Sequence, residues 1–203
     1  KWAPVPLLTE NKLLVHSDPK VRQPSWSRYY SGLSESRQRR ESYALDVGLS
    51  VLGGGMTSRL YQALVEDEQI AIDVSTAAWT TLHDEGPAVI SASPVDGVSL
   101  DELDTAVMAE VRKVLDEGFT DAEVERARNS LAARAIYGRD SQSNMANTFG
   151  STLALGGTID DILDYPDMIK SITTEEALAA VRTVFGEDRH YIEAELIPAE
   201  GDQ

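Results

Sequence analysis

The chain has 203 residues, 42% of them hydrophobic and 26% charged, a balance suited to a globular protein that buries its own core. Its net charge of -16 argues against nucleic acid as a partner, which would call for clustered Lys and Arg, and mildly favours basic or neutral partners. With no cysteine, disulfides and Cys-ligated zinc are excluded, and no apolar run approaches the ~18–20 residues of a membrane-spanning helix.

The opening "KWAPVPLLTE" has neither Met nor a signal-like apolar core, so the chain is expected to be a piece of a longer precursor. Asn11–Asp18 and Pro24–Gly32 read as a pair of strands around a polar turn, with Trp26, Arg28 and Tyr30 on one face of the second. Leu45, Leu49 and Leu52, widened by Ala44, Val47 and Val51, have the helical period, and Gly53–Gly55 end that helix. Thr57 or Ser58 can cap the next one. Ala71–Thr80 and Pro87–Val95 suggest a hairpin. Helices then dominate. Ser99 with Glu102, Thr120 with Glu123, Thr173 with Glu176 and, more weakly, Thr158 with Asp161 have capping-box spacing. Gly118 ends one helix, Gly138 breaks the next and Asp140 restarts it. A strand through His190–Pro198 precedes the polar tail "AEGDQ". Strands do not alternate regularly with helices. The expected fold is therefore α+β, one two-layer domain over 1–203, with an antiparallel or mixed sheet and helices packed on one face.

A self-contained active site is not visible. The glycines at 53–55 lack the Lys of a P-loop, and Ser58 stands where GxGxxG needs its third glycine. They suit a tight turn between helices better than a phosphate cradle. His16, His83 and His190 form neither HExxH nor HxxEH, and His190 with Glu193 points to opposite strand faces. No metal ligands are expected in this chain. Arg37, Arg39 and Arg40, flanked by Glu35 and Glu41, read as a solvated helix start. Trp26 and Tyr30 read as core. Polar residues interrupt a helical region at 137–144, which makes Arg139, Asp140 and Gln142 candidates for substrate binding.

Four stretches occur together and in order: "DPKVRQPSWSRYY", "LGGGMTSRLYQALVEDEQIA", "VERARNSLAARAIYGRDSQ" and "TEEALAAVRTVF". They resemble the C-terminal half of bacterial inverted-zincin peptidases, the pitrilysin/insulinase/mitochondrial processing peptidase family. The resemblance implies an upstream half that carries HxxEH and a further Glu to hold zinc, and a C-terminal half without metal ligands. Two such subunits would enclose a chamber for peptides. In active assemblies one C-terminal half carries Leu-Arg, four further residues, then Leu-Ala-Tyr, whose Arg and Tyr assist the scissile carbonyl. In this chain Leu64–Ile72 fall on that frame, with Val65 at the Arg and Ile72 at the Tyr, and neither side chain can donate a hydrogen bond. No catalytic residue is therefore expected here.

Two readings remain. The chain is the inactive half of a zinc-bearing subunit, partnered by its own N-terminal half and by a second subunit that carries the Arg/Tyr pair. Alternatively, it belongs to a wholly non-catalytic scaffold or peptide-binding subunit. The resemblance to secreted members implies the periplasm or cell envelope, with the cytoplasm as the alternative.

Overall fold

A computed structural model describes residues 8–199, so the opening "KWAPVPL" and the end of the "AEGDQ" tail lie outside the described residues. The elements are β1 (Lys12–Asp18), β2 (Ser25–Ser31), α1 (Arg39–Gly53), α2 (Arg59–Tyr61) with a π-helical continuation (Gln62–Asp67), β3 (Ala71–Ala78), β4 (Pro87–Pro94), α3 (Leu100–Glu117), α4 (Asp121–Gly138), α5 (Gln142–Ala154), α6 (Ile159–Ser171), α7 (Thr174–Phe185) and β5 (Tyr191–Pro198). The strands form one mixed sheet in the order β1-β5-β2-β4-β3, parallel only between β1 and β5. This is the expected α+β architecture.

The first expected strand pair is corrected. β1 and β2 are not neighbours, because the C-terminal strand β5 lies between them. The reason is electrostatic. Arg28 of β2 is buried, and a buried guanidinium needs a carboxylate. β5 places Glu193 opposite Arg28 in register, 2.7 Å from Nη2, and Asp104 of α3 approaches the same nitrogen at 2.6 Å. Tyr191 supplies a ring face 3.9 Å from the guanidinium carbon. β1 has no acid before Asp18 and could not do this.

Helices lie against β2, β4 and β3. Trp26 and Tyr30 are buried beneath them, as their spacing implies, together with Ala88, Ile90 and Ala92 of β4. β1 extends past this layer and exposes Leu13, Leu14 and Val15. The helix starts follow the capping chemistry in the sequence. Ser99, Thr120, Thr158 and Thr173 each accept the backbone N–H three residues on, and the last three form complete capping boxes.

Helix α1 is at the centre. It packs against α7, α4, α6 and β3 and buries Tyr43, Leu45, Val47, Leu49 and Leu52 among others. Gly48 permits the close crossing with α7: a Cβ there would stand 2.4 Å from Val181 Cγ2 and 2.8 Å from the carbonyl oxygen of Ala177. One of these obstacles is backbone, so relief requires the helices to separate. Gly48→Ala is therefore expected to destabilise the fold by about 1–3 kcal/mol, through overpacking that outweighs its gain in helix propensity. Urea unfolding would measure the loss, and Gly55→Ala is not a suitable control because Gly55 has a φ of +131°.

Candidate functional site

The segment from the glycine turn to β3 contains three backbone irregularities. Gly53–Gly55 turn the chain from α1 into α2, as read from the sequence. Gly53 lies against Thr76 of β3, whose hydroxyl donates to the carbonyl of Leu49 at 3.0 Å. Arg59 ties the turn to α4 through a two-pronged ion pair with Glu123, Nη2 donating to Oε2 at 3.1 Å. Burial would raise the Glu123 carboxyl, but bonds from Arg59 and Thr120 outweigh it and hold it at about 2. The helix then widens: the N–H of Glu68 reaches the carbonyl of Ala63 and that of Ile70 reaches Leu64. Gln69 takes a left-handed φ of 55°, and the β3–β4 register shifts between Ala71 and Asp73, leaving Ile72 as the bulged residue. π-turns and bulges of this kind re-aim side chains and recur at functional sites. Here the re-aimed side chains are apolar. Val65 packs partly against the core, and Ile72 is half exposed on the edge strand.

The three candidates at 139–142 separate. Arg139 reaches α6, where its Nη2 donates to the carbonyls of Ile162 and Leu163 at 3.2 and 3.0 Å. Pro166 explains this contact. It has no N–H for the carbonyl of Ile162 four residues earlier, so α6 has an orphan acceptor and Arg139 fills it. Asp140 and Gln142 are exposed. The helix restart expected at Asp140 is instead capped by Ser141, whose hydroxyl accepts from the Asn144 N–H.

Arg139 also lines an open cavity of about 420 Å3 between the β2–α1 loop, α1, the β3–β4 loop, α4, α5 and α6. Asp46 of α1 opens into it, and Oδ2 accepts from the Tyr165 hydroxyl at 3.3 Å. Desolvation, reinforced by nearby Glu35, raises the Asp46 carboxyl from 3.8 to about 7. Burial raises Glu35 as well, although it accepts from Thr80 Oγ1 at 3.1 Å. Tyr43 and Tyr165 meet edge to face 5.1 Å apart, and burial pushes Tyr43 up to about 12. The sequence reading missed this cavity. The available signal was Asp46 itself, an acid within the apolar run Tyr43–Leu52 of α1. Glu35 is not in a solvated helix start, and the neighbouring arginines do not form a free basic cluster. Arg37 pairs with Asp84, Arg39 with Asp161 and Arg40 with Glu176.

The histidines are dispersed. His16 lies on β1, His83 near Asp84 in the β3–β4 loop, and His190 beside Asn11. Among the described residues no group of His, Asp and Glu could hold a metal ion, and no helix is long and apolar enough to cross a membrane.

The site thus sits on a mixed five-stranded sheet with helices packed against it and an irregular segment at 62–72. The sequence model of the peptidase M16 inactive domain matches residues 3–131, and the chain belongs to this family. It is 28% identical to an uncharacterised zinc protease of Streptomyces coelicolor over 162 residues, covering 76% of this chain and 33% of the relative. A protease from Helicobacter pylori superposes with a TM-score of 0.85 at 19% identity, over 97% of this chain and 46% of that one. The inactive domain from Pseudomonas fluorescens gives 0.79 at 18% identity, over 100% and 48%. The chain thus spans about a third of that curated relative and about half of each solved chain.

The site geometry yields two predictions. Arg139→Ala should cost about 1–3 kcal/mol by exposing the orphan carbonyl of Ile162. In a Pro166→Ala background, where residue 166 regains an N–H, that cost should fall by at least half; a double-mutant cycle in urea measures the coupling. Asp46 has a raised folded-state pKa, so the native state binds more protons than the unfolded state between about pH 4 and 7. Its ionisation therefore costs stability as pH rises through that window. Asp46→Asn should be more stable than the parent at pH 8, by at most about 4 kcal/mol at about 1.4 kcal/mol per unit, with the gap closing near pH 4. Thermal unfolding of both proteins across pH provides the check.

Proposed function

We propose that this chain is the non-catalytic C-terminal domain of a zinc-dependent peptidase subunit. In this role it walls part of a peptide-enclosing chamber and contributes to the subunit interface. The observation that supports the reading is the 62–72 segment, in which a π-turn, a left-handed residue and a bulge flank Val65 and Ile72, the residues that the resemblance aligns with the family's donor pair. Membership in the inactive-domain family and the zinc-protease names of the curated relatives support it. So does the exposed β1 edge, since bare apolar edge strands call for a covering partner.

On this reading zinc belongs to the upstream half, and the Arg/Tyr function comes from a second subunit. The proposed setting is the periplasm or cell envelope. The scaffold reading shares the Val65 and Ile72 observation and differs only upstream. Both are tested by expressing this chain alone, then the longer subunit, then the longer subunit with a partner that carries the Arg/Tyr pair. Metal analysis and cleavage of a quenched unfolded peptide provide the readouts. The expected results are no stoichiometric zinc and no cleavage with the chain alone, one zinc in the longer subunit, and cleavage only with the partner. A longer subunit without zinc would establish the scaffold. Metal-dependent cleavage by this chain alone would overturn both readings.

A further inference from the structure

The cavity beside Asp46 has an unusual charge balance. Five charged groups line it or lie at its rim, and its two arginines are committed elsewhere. Arg139 bonds the carbonyls of Ile162 and Leu163. Arg39 lies near enough to Glu35 to act on it, but both its terminal nitrogens bond Asp161. Asp46 and Glu35 therefore form no ion pair among the described residues; a tyrosine and a threonine hydroxyl are their hydrogen-bond donors. No lysine lines the cavity.

Three aromatic residues stand among the mixed lining of this cavity. Tyr43 and Tyr165 form one side, and the indole of Trp79 stands half exposed at the mouth. At about 420 Å3 the space matches ligand sites of roughly 300–1,000 Å3 and exceeds what a few waters need. Helix α5 lies across it, contributing Met145 and Thr148 while burying none of its own residues.

We propose that this cavity binds a primary ammonium group on a short apolar stem, with Asp46 and Glu35 as its counter-charges and the aromatic rings around its stem. An ammonium brings three N–H donors and one positive charge, which suits two carboxylates without ion pairs. Aromatic faces attract the cation and accept the methylenes. A neutral ligand would leave the carboxylates unpaired, and an anion would be repelled. The ammonium can come from a free amine or from a lysine side chain of a polypeptide.

The test is calorimetric titration of the intact 203-residue chain with n-butylammonium chloride and with acetyl-Gly-Lys-Gly-amide, using 1-butanol as the uncharged control. Saturable binding of at least one cation, and none of 1-butanol, is expected. Asp46→Asn and Glu35→Gln should each weaken it tenfold or more. Both preserve side-chain shape, and Glu35→Gln lies outside α1, so one variant remains informative if the other fails to fold. The charged and titratable groups facing Asp46 are Glu35, Tyr43, Asp161, Tyr165 and Arg139. Asp46 carries its charge only above about 7, and burial raises Glu35 as well, so binding should tighten from pH 5.5 to pH 8. Tighter binding of the peptide identifies a polypeptide source, and tighter binding of butylammonium a free amine; either supports the site. No saturable binding of either cation, or binding unchanged in both folded variants, overturns it. This site is separate from the peptidase reading and stands or falls independently of it.

Discussion

Helix α1 is the constraint on which the rest of the molecule depends. It is buried on almost every side, between α7, α4, α6 and the sheet. Such a helix cannot be amphipathic in the usual sense, and its neighbours must accommodate whatever it carries. Gly48 brings α7 into backbone contact, and Gly53 does the same for Thr76 on β3. The single charge embedded among its apolar residues, Asp46, has no route to bulk solvent other than a cavity. The opening between α1, α5 and α6 is thus a consequence of placing a carboxylate on the most enclosed helix of the fold. Desolvation makes a charge there unfavourable, and this is why Asp46 holds its proton to about neutrality.

The segment after the glycine turn presents a different economy. Irregular backbone of this kind costs about 1–3 kcal/mol per residue and persists only when its surroundings over-determine it. The surroundings do so here. Arg59 is clamped to Glu123, Leu64 is fully buried, and the N–H of Val95 reaches back to the carbonyl of Ile70. The backbone shape is therefore held by contacts that do not involve the side chains of Val65 and Ile72. Replacing a donor pair with aliphatic residues can leave such a scaffold intact, which separates the form of the segment from the chemistry proposed for its counterpart.

Much of the local structure was legible because its causes are local. The capping boxes, the stop at Gly118, the hairpin through Ala78 and Pro87 and the buried face of β2 depend on residues within one or two turns of each other. The insertion of β5 was not legible. It depends on Glu193 answering Arg28 across most of the chain, and a strand pattern does not specify its neighbour. Arg139 was singled out as a polar residue at a helix break, and in the structure it bonds α6. Its partner was hidden because the orphan carbonyl of Ile162 exists only through Pro166 in another helix. The cavity was hidden for the same reason: its walls come from six separate segments, and no window of sequence contains them.

The two ends of the sheet also differ physically. At the β3 edge the bulge at Ile72 interrupts the ladder, and a twisted, interrupted edge discourages pairing with another strand. At the β1 edge the ladder with β5 is regular from Lys12 to Asp18, and Leu13, Leu14 and Val15 are more than half exposed. The core beneath α1 is complete without β1, so the fold does not require that strand to be covered. An exposed regular edge with apolar residues on both faces is nevertheless an aggregation hazard in water unless something occupies it. A strong negative charge limits self-association of such an edge without preventing a complementary partner from binding.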